Sequence, residues 1–222
     1  MTQRYTAVAI TLHWIIAIML VMLIVVGWQA GDLLEALQTG QETDATLEDV
    51  RFVYNMHKTF GMLVLVLSLA RLIWRLTHKT PPMPETMKGW EQFAARFTHI
   101  AFYVLMIGMP LLGWITASSS GLPSYLLDNS ALRLPDLPVP QTDAVHDFFG
   151  WLHGRGGWAI LVLLALHAGA ALKHHFFDKD DACSPSSDAH KDVPCTAFLP
   201  WPFLPRLPPT PVIGWWIPMP AR

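Results

Sequence analysis

The segment Leu161–Phe176, LVLLALHAGAALKHHF, decides how the rest of the chain is read. Six apolar residues lead into His167, and the run stays apolar to Leu172 before Lys173 and two further histidines. With the residues from Phe149 onward it is long enough to cross a bilayer, which takes roughly 20 mostly apolar residues. An imidazole in hydrocarbon is costly unless it faces a bundle interior and meets a partner there. His167 therefore implies both a membrane bundle and a second group opposite it.

Three further segments qualify as spans: Ala7 to Trp28, about Val53 to Trp74, and about Phe97 to Ala117. The first holds His13 as its only strongly polar residue; the second has Asn55, His57 and Lys58 in its first turns; the third contains Pro110. The fourth, Phe149 to Leu172, also carries His153 and Arg155. Composition agrees, with 52% hydrophobic and only 14% charged residues, where a soluble domain carries about a quarter charged. A net charge of −2 gives no footing for nucleic acid. Both cysteines, Cys183 and Cys195, lie in the tail, which rules out a disulfide framework or a four-cysteine metal site. The first apolar run exceeds the roughly 7–15-residue core of a signal peptide, so it reads as an uncleaved span.

Basic residues set the orientation. The connection between spans two and three carries Arg71, Arg75, Lys79, Lys88 and Arg96, whereas the first connection holds Asp32, Glu35, Glu42, Asp44, Glu48 and Asp49 against Arg51 alone. The expected fold is all-α, an integral membrane four-helix bundle with both termini inside. Residues 1–181 form this domain and 182–222 an extended, disordered cytoplasmic tail. Nine of the last 29 residues are proline, and proline cannot continue a helix.

Six histidines fall at membrane or near-membrane depth: His13, His57, His99, His146, His153 and His167. His153 and His167 are 14 residues apart, four turns at the 3.5-residue repeat of a left-handed bundle, so they share a helix face. At 1.5 Å per residue they stand about 21 Å apart and cannot share one small ion. Antiparallel threading then pairs His57 with His153 near the outer side and His13 with His167 near the inner side. Two facing imidazoles without a third ligand suit haem iron, because the porphyrin supplies the other four nitrogens. A zinc site would need three or four protein ligands at one depth. The residue four after each histidine is small (Ala17, Gly61, Gly157, Ala171), which leaves room on the same face for a macrocycle. His146, followed four later by Gly150, rivals His153. His99 is suited to bonding a haem propionate, a quinone or water. Lys58 and Arg155 lie beside the outer pair, either to contact an anionic substrate or propionate, or simply to reach the interface. Without haem, the same histidines would bond across helices in a membrane scaffold.

The segments RYTAVAITLHWIIA, NMHKTFGMLVLVLSLARLIWR, HKTPPMP, ARFTHIAFYVLMIGMPLLGW and LHAGAALKHHFFDKDD resemble the bacterial cytochrome b561 family and cover nearly everything from Arg4 to Asp181. The resemblance implies a multi-pass protein of the bacterial inner membrane that binds two haems b through four histidines, here His13, His57, His153 and His167. It further implies an oxidoreductase role, with electrons moving between a periplasmic-side donor, a small molecule or a protein, and ubiquinone. One branch of the family oxidises superoxide with basic residues near the outer haem, the positions of Lys58 and Arg155. Another expectation is a cytochrome b subunit that anchors and serves a partner dehydrogenase. The resemblance ends after Asp181, where family members usually have a short basic ending and this chain continues into its proline-rich tail.

Overall fold

In a computed structural model the described residues are 6–78, 88–173 and Phe176. They form four long helices: α1 (Ala7–Thr39), α2 (Leu47–Thr77), α3 (Gly89–Ser119) and α4 (Asp143–Lys173). Each is long and apolar enough to cross a membrane. Together they make the four-helix membrane bundle. The chain divides into two units, Met1–Ala182 and Cys183–Arg222, and the expected disordered tail lies outside the described residues.

The helices run beyond the apolar stretches that announce them, because their ends are set by caps in the flanking polar sequence. The Thr6 hydroxyl accepts from the Ala9 amide at 3.3 Å and starts α1. Thr46 and Asp49 cap each other's amides at the start of α2, at 2.8 and 3.2 Å. This reciprocal pair satisfies two of the donors that a helix start leaves open. Past Trp28, α1 continues to Thr39 and stops at Gly40, whose φ of 69° places it in the left-handed region that glycine enters freely.

Contacts at the helix ends fix the threading as up-and-down. The Trp74 indole donates to the Thr6 hydroxyl at 3.0 Å, joining the end of α2 to the start of α1. Lys173 pairs with Glu91 at 3.1 Å, joining the end of α4 to the start of α3. At the opposite end Arg51, near the start of α2, reaches Asp128 in the α3–α4 connection. The end bearing the acidic α1–α2 and α3–α4 connections is the outer one by the basic-residue rule.

Helix α1 packs on α2, α2 on α3, and α3 on α4. The buried core is thin: Ile16 and Leu20 of α1, Val64 of α2, Met106 and Met109 of α3, and Ile160 of α4. Large apolar side chains such as Ile18, Met22, Val66, Ile73, Val104 and Leu166 point outward, as expected where lipid rather than water surrounds the bundle and helices satisfy all backbone bonds internally.

The outer α3–α4 connection adds a feature that the helical reading lacked. Two short strands, β1 (Ser124–Tyr125) and β2 (Arg133–Leu134), pair antiparallel around a 3-10 turn at Leu126–Asp128. Leu127 and Asp128 have φ of 53° and 51°, unusual for leucine. The turn is held there from below: the Leu127 amide donates to the Thr59 hydroxyl at 2.8 Å, and Asn55 donates to Asp128 at 2.6 Å.

Candidate haem-binding site

The four histidines placed at matching depths meet across the bundle. The rings of His57 on α2 and His153 on α4 lie 6.0 Å apart between centroids, with planes at 77°. Those of His13 on α1 and His167 on α4 lie 6.3 Å apart at 72°. All four rings are half-buried. Since α4 packs chiefly on α3, these rings reach from α4 towards the two helices it touches least.

His153 Nδ1 lies 3.1 Å from the Met109 carbonyl on α3. A carbonyl only accepts, so Nδ1 carries the proton and the lone pair stays on Nε2. This arrangement prepares a histidine as a metal ligand, with its second nitrogen fixing tautomer and orientation. His57 Nδ1 is buried with no hydrogen bond closed on it, although the Leu23 carbonyl of α1 approaches the ring. His146, the rival for the outer position, is engaged elsewhere: its Nδ1 lies 3.1 Å from the Thr116 carbonyl and 3.4 Å from the Ser119 hydroxyl on the last turns of α3.

At the inner end a third ring joins the pair. His99 on α3 stands 5.9 Å from His167, and Phe102 stands 5.5 Å from it. His99 Nδ1 is buried without a partner, and the residue lines an open cavity of about 170 Å³ with Arg75, Arg96, Ile100 and Tyr103. Arg71 is near enough for its charge to act on His13, His99 and His167.

The two expected cations are placed differently from each other. Lys58 is half-buried beneath the outer connection and donates to the Ser124 hydroxyl at 2.8 Å. Arg155 is exposed, with its guanidinium over Trp151 at 5.8 Å. Sequence reasoning missed the residue that organises this end. Asn55 is 2% exposed, donates to Asp128 and accepts from the Tyr125 amide at 3.3 Å. An asparagine at the third position of an apolar span was the available signal.

These residues fit a haem. A bond of about 2 Å from imidazole nitrogen to a transition metal puts two axial ring centroids about 6 Å apart, the separation of both pairs. The small residues Ala17, Gly61, Gly157 and Ala171 are half-buried beside the histidines, and a Cβ added at Gly61 or Gly157 would meet nothing within 4 Å. Among the described residues no three or more His, Cys, Asp or Glu side chains converge as a protein-only metal site requires.

The family model described as prokaryotic cytochrome b561 matches residues 4–185. The chain belongs to the prokaryotic cytochrome b561 family. It is 29% identical over 187 residues to cytochrome b561 homolog 2 of Escherichia coli (strain K12), covering 81% of this chain and 88% of that protein. Cytochrome b561 homolog 1 of the same organism is 26% identical over 188 residues, 81% of this chain and 94% of its own length. A protein named probable superoxide oxidase CybB, from Yersinia pestis, is 23% identical over 181 residues, 82% and 94% of the two chains. As a prokaryotic cytochrome b561 with four spans, the chain is a multi-pass haem-b protein of the bacterial inner membrane that takes part in electron transfer.

Proposed function

We propose that this cytochrome b561 holds two haems b in separate sites and moves electrons between a periplasmic-side donor and ubiquinone. The observation that carries this reading is the pair of 6.0 and 6.3 Å histidine couples at opposite ends of α4. His57 and His153 would hold the outer haem; His13 and His167 would hold the inner one. Haem b, when bound, supplies a one-electron couple.

The residues around each pair govern that couple. The Met109 carbonyl keeps the proton of His153 on Nδ1 and the ring fixed. Two protein imidazoles at each site would hold the haem, which would then supply electron exchange rather than a place for a small molecule to bind. At the inner end Arg71, Arg75 and Arg96 bring positive charge towards His99 and His167. That charge would balance propionates, or His99 and Tyr103 would hydrogen-bond a quinone. At the outer end the α3–α4 connection is tied to α2 through Asn55, Lys58 and Thr59.

Superoxide is the donor that the name of the Yersinia pestis relative brings to mind, with Arg155 and Lys58 to receive it. A second reading, a protein or neutral donor such as a partner dehydrogenase, is favoured by charge. The outer connections and adjoining helix turns hold ten acids (Asp32, Glu35, Glu42, Asp44, Glu48, Asp49, Asp128, Asp136, Asp143, Asp147) against Arg51, Lys58, Arg133 and Arg155. Two of those cations are paired, Arg51 with Glu48 and Asp128 and Arg133 with Asp136. Haem content tests the reading: purified wild type should carry two haems per chain with a low-spin bis-histidine spectrum. His57→Ala or His153→Ala should each leave one. A variant that keeps both haems would overturn the assignment, and a colourless wild type would leave a scaffold bonded through histidines.

A further inference from the structure

The outer histidines each rest on a glycine of a neighbouring helix. A Cβ built on Gly27 of α1 would stand 3.0 Å from His57 Cε1, 3.5 Å from Nδ1 and 3.9 Å from Nε2. A Cβ on Gly113 of α3 would stand 3.0 Å from His153 Cε1, 3.2 Å from Nδ1 and 3.7 Å from Nε2. In both cases the same edge of the ring faces the glycine, and the backbone carbonyl near the ring belongs to the residue four before it, Leu23 for Gly27 and Met109 for Gly113. Four residues is one helical turn, so carbonyl and glycine lie on one face of the helix, one above the other. The repetition on two different helices, against two different histidines, separates this arrangement from ordinary close packing.

We propose that Gly27 and Gly113 are positioning residues for the outer axial pair, each clearing the backbone surface on which a histidine ring is seated beside its carbonyl. The inference rests on the reading of His57 and His153 as haem ligands. Glycine allows a side chain this close because it carries no Cβ. A methyl group at 3.0 Å would force the ring away by a few tenths of an ångström. For His153, such a displacement pulls Nδ1 off the Met109 carbonyl and turns Nε2 with it. The hydrogen bond that orients a ligand and the seat that admits the ring then act together. Other glycines on these two helices have no such duty: Gly31 of α1 and Gly108 of α3 face open space.

The test uses full-length protein purified with haem: wild type, Gly27→Ala, Gly113→Ala, and Gly108→Ala as the control on the same helix. His153→Ala identifies which low-spin signal in the electron paramagnetic resonance spectrum is the outer one. The expected result is that Gly27→Ala and Gly113→Ala each shift or remove the outer signal. The inner signal and its haem should be spared, and Gly108→Ala should match wild type. Seat variants with an unchanged outer signal overturn the proposal while leaving the haem assignment standing. So does a Gly113→Ala protein that loses both haems, or a Gly108→Ala protein that behaves like Gly113→Ala, since either outcome reports general packing. A wild type without haem removes the ligand assignment and the seats with it.

Discussion

At the scale of single residues, the inner end poses a sharper question than the outer. His167 has two imidazole neighbours, His13 at 6.3 Å and His99 at 5.9 Å, and distance alone does not rank them. Helix position does. His13 lies across the bundle from α4, whereas His99 sits on α3, the helix against which α4 packs, and lines the cavity with Arg75 and Arg96. His13→Ala should therefore reduce haem content from two per chain to one. His99→Ala should retain both haems and alter only the spectrum or potential of the inner one. Haem quantification by alkaline pyridine spectra on the two variants decides this; the reverse pattern would make His99 the ligand. The histidine depths were readable from the chain. The approach of His99 to His167 was not, because it depends on how α3 is rotated about its axis.

Among the elements, the α3–α4 connection is the piece whose form depends most on others. Its two-residue strands and left-handed turn could not persist alone, since so short a ladder buries almost nothing. Three side chains from the first turns of α2 hold it: Asn55 to Asp128 and Tyr125, Lys58 to Ser124, and Thr59 to Leu127. From α3, Trp114 donates to the Pro135 carbonyl at 2.9 Å, and the Ser118 hydroxyl accepts from Leu137 at 3.0 Å. Asn55→Ala removes two of these bonds and leaves Asp128 and the Tyr125 amide short of partners, a cost of about 1–3 kcal/mol. The variant should melt at lower temperature in detergent and be cut by protease within residues 121–142 sooner than wild type, with α2 itself intact. An unchanged cleavage rate would show that Asn55 does not hold the connection. The sequence placed Asn55 in the first turns of an apolar span without giving it a role, because its partners stand 70 and 73 residues further along. Nothing local could have named them.

For the whole molecule, the decisive contrast is between an acidic outer end and a basic inner one. Arg71, Arg75, Lys88 and Arg96 gather at the inner end, while acids outnumber bases at the outer end. This asymmetry orients the protein in the membrane and also acts on its donor. An anion approaching the outer face meets net repulsion, which salt screens over about 8–10 Å at ordinary ionic strength. If superoxide reduces the outer haem, its rate should rise with ionic strength, in contrast to a protein that steers the anion in. Stopped-flow reduction over a salt series measures the slope, and a rate that falls with salt would show local attraction by Arg155 and Lys58 overcoming the surrounding acids. Four spans, their direction and the depth of each histidine were fixed by the sequence itself, because hydrophobicity, charge asymmetry and rise per residue are local or additive properties. How closely the paired rings approach, which carbonyl holds a ring, and which glycine makes room for it were decided only by tertiary structure. Those depend on the rotation and spacing of whole helices, and these are set by packing summed over the bundle.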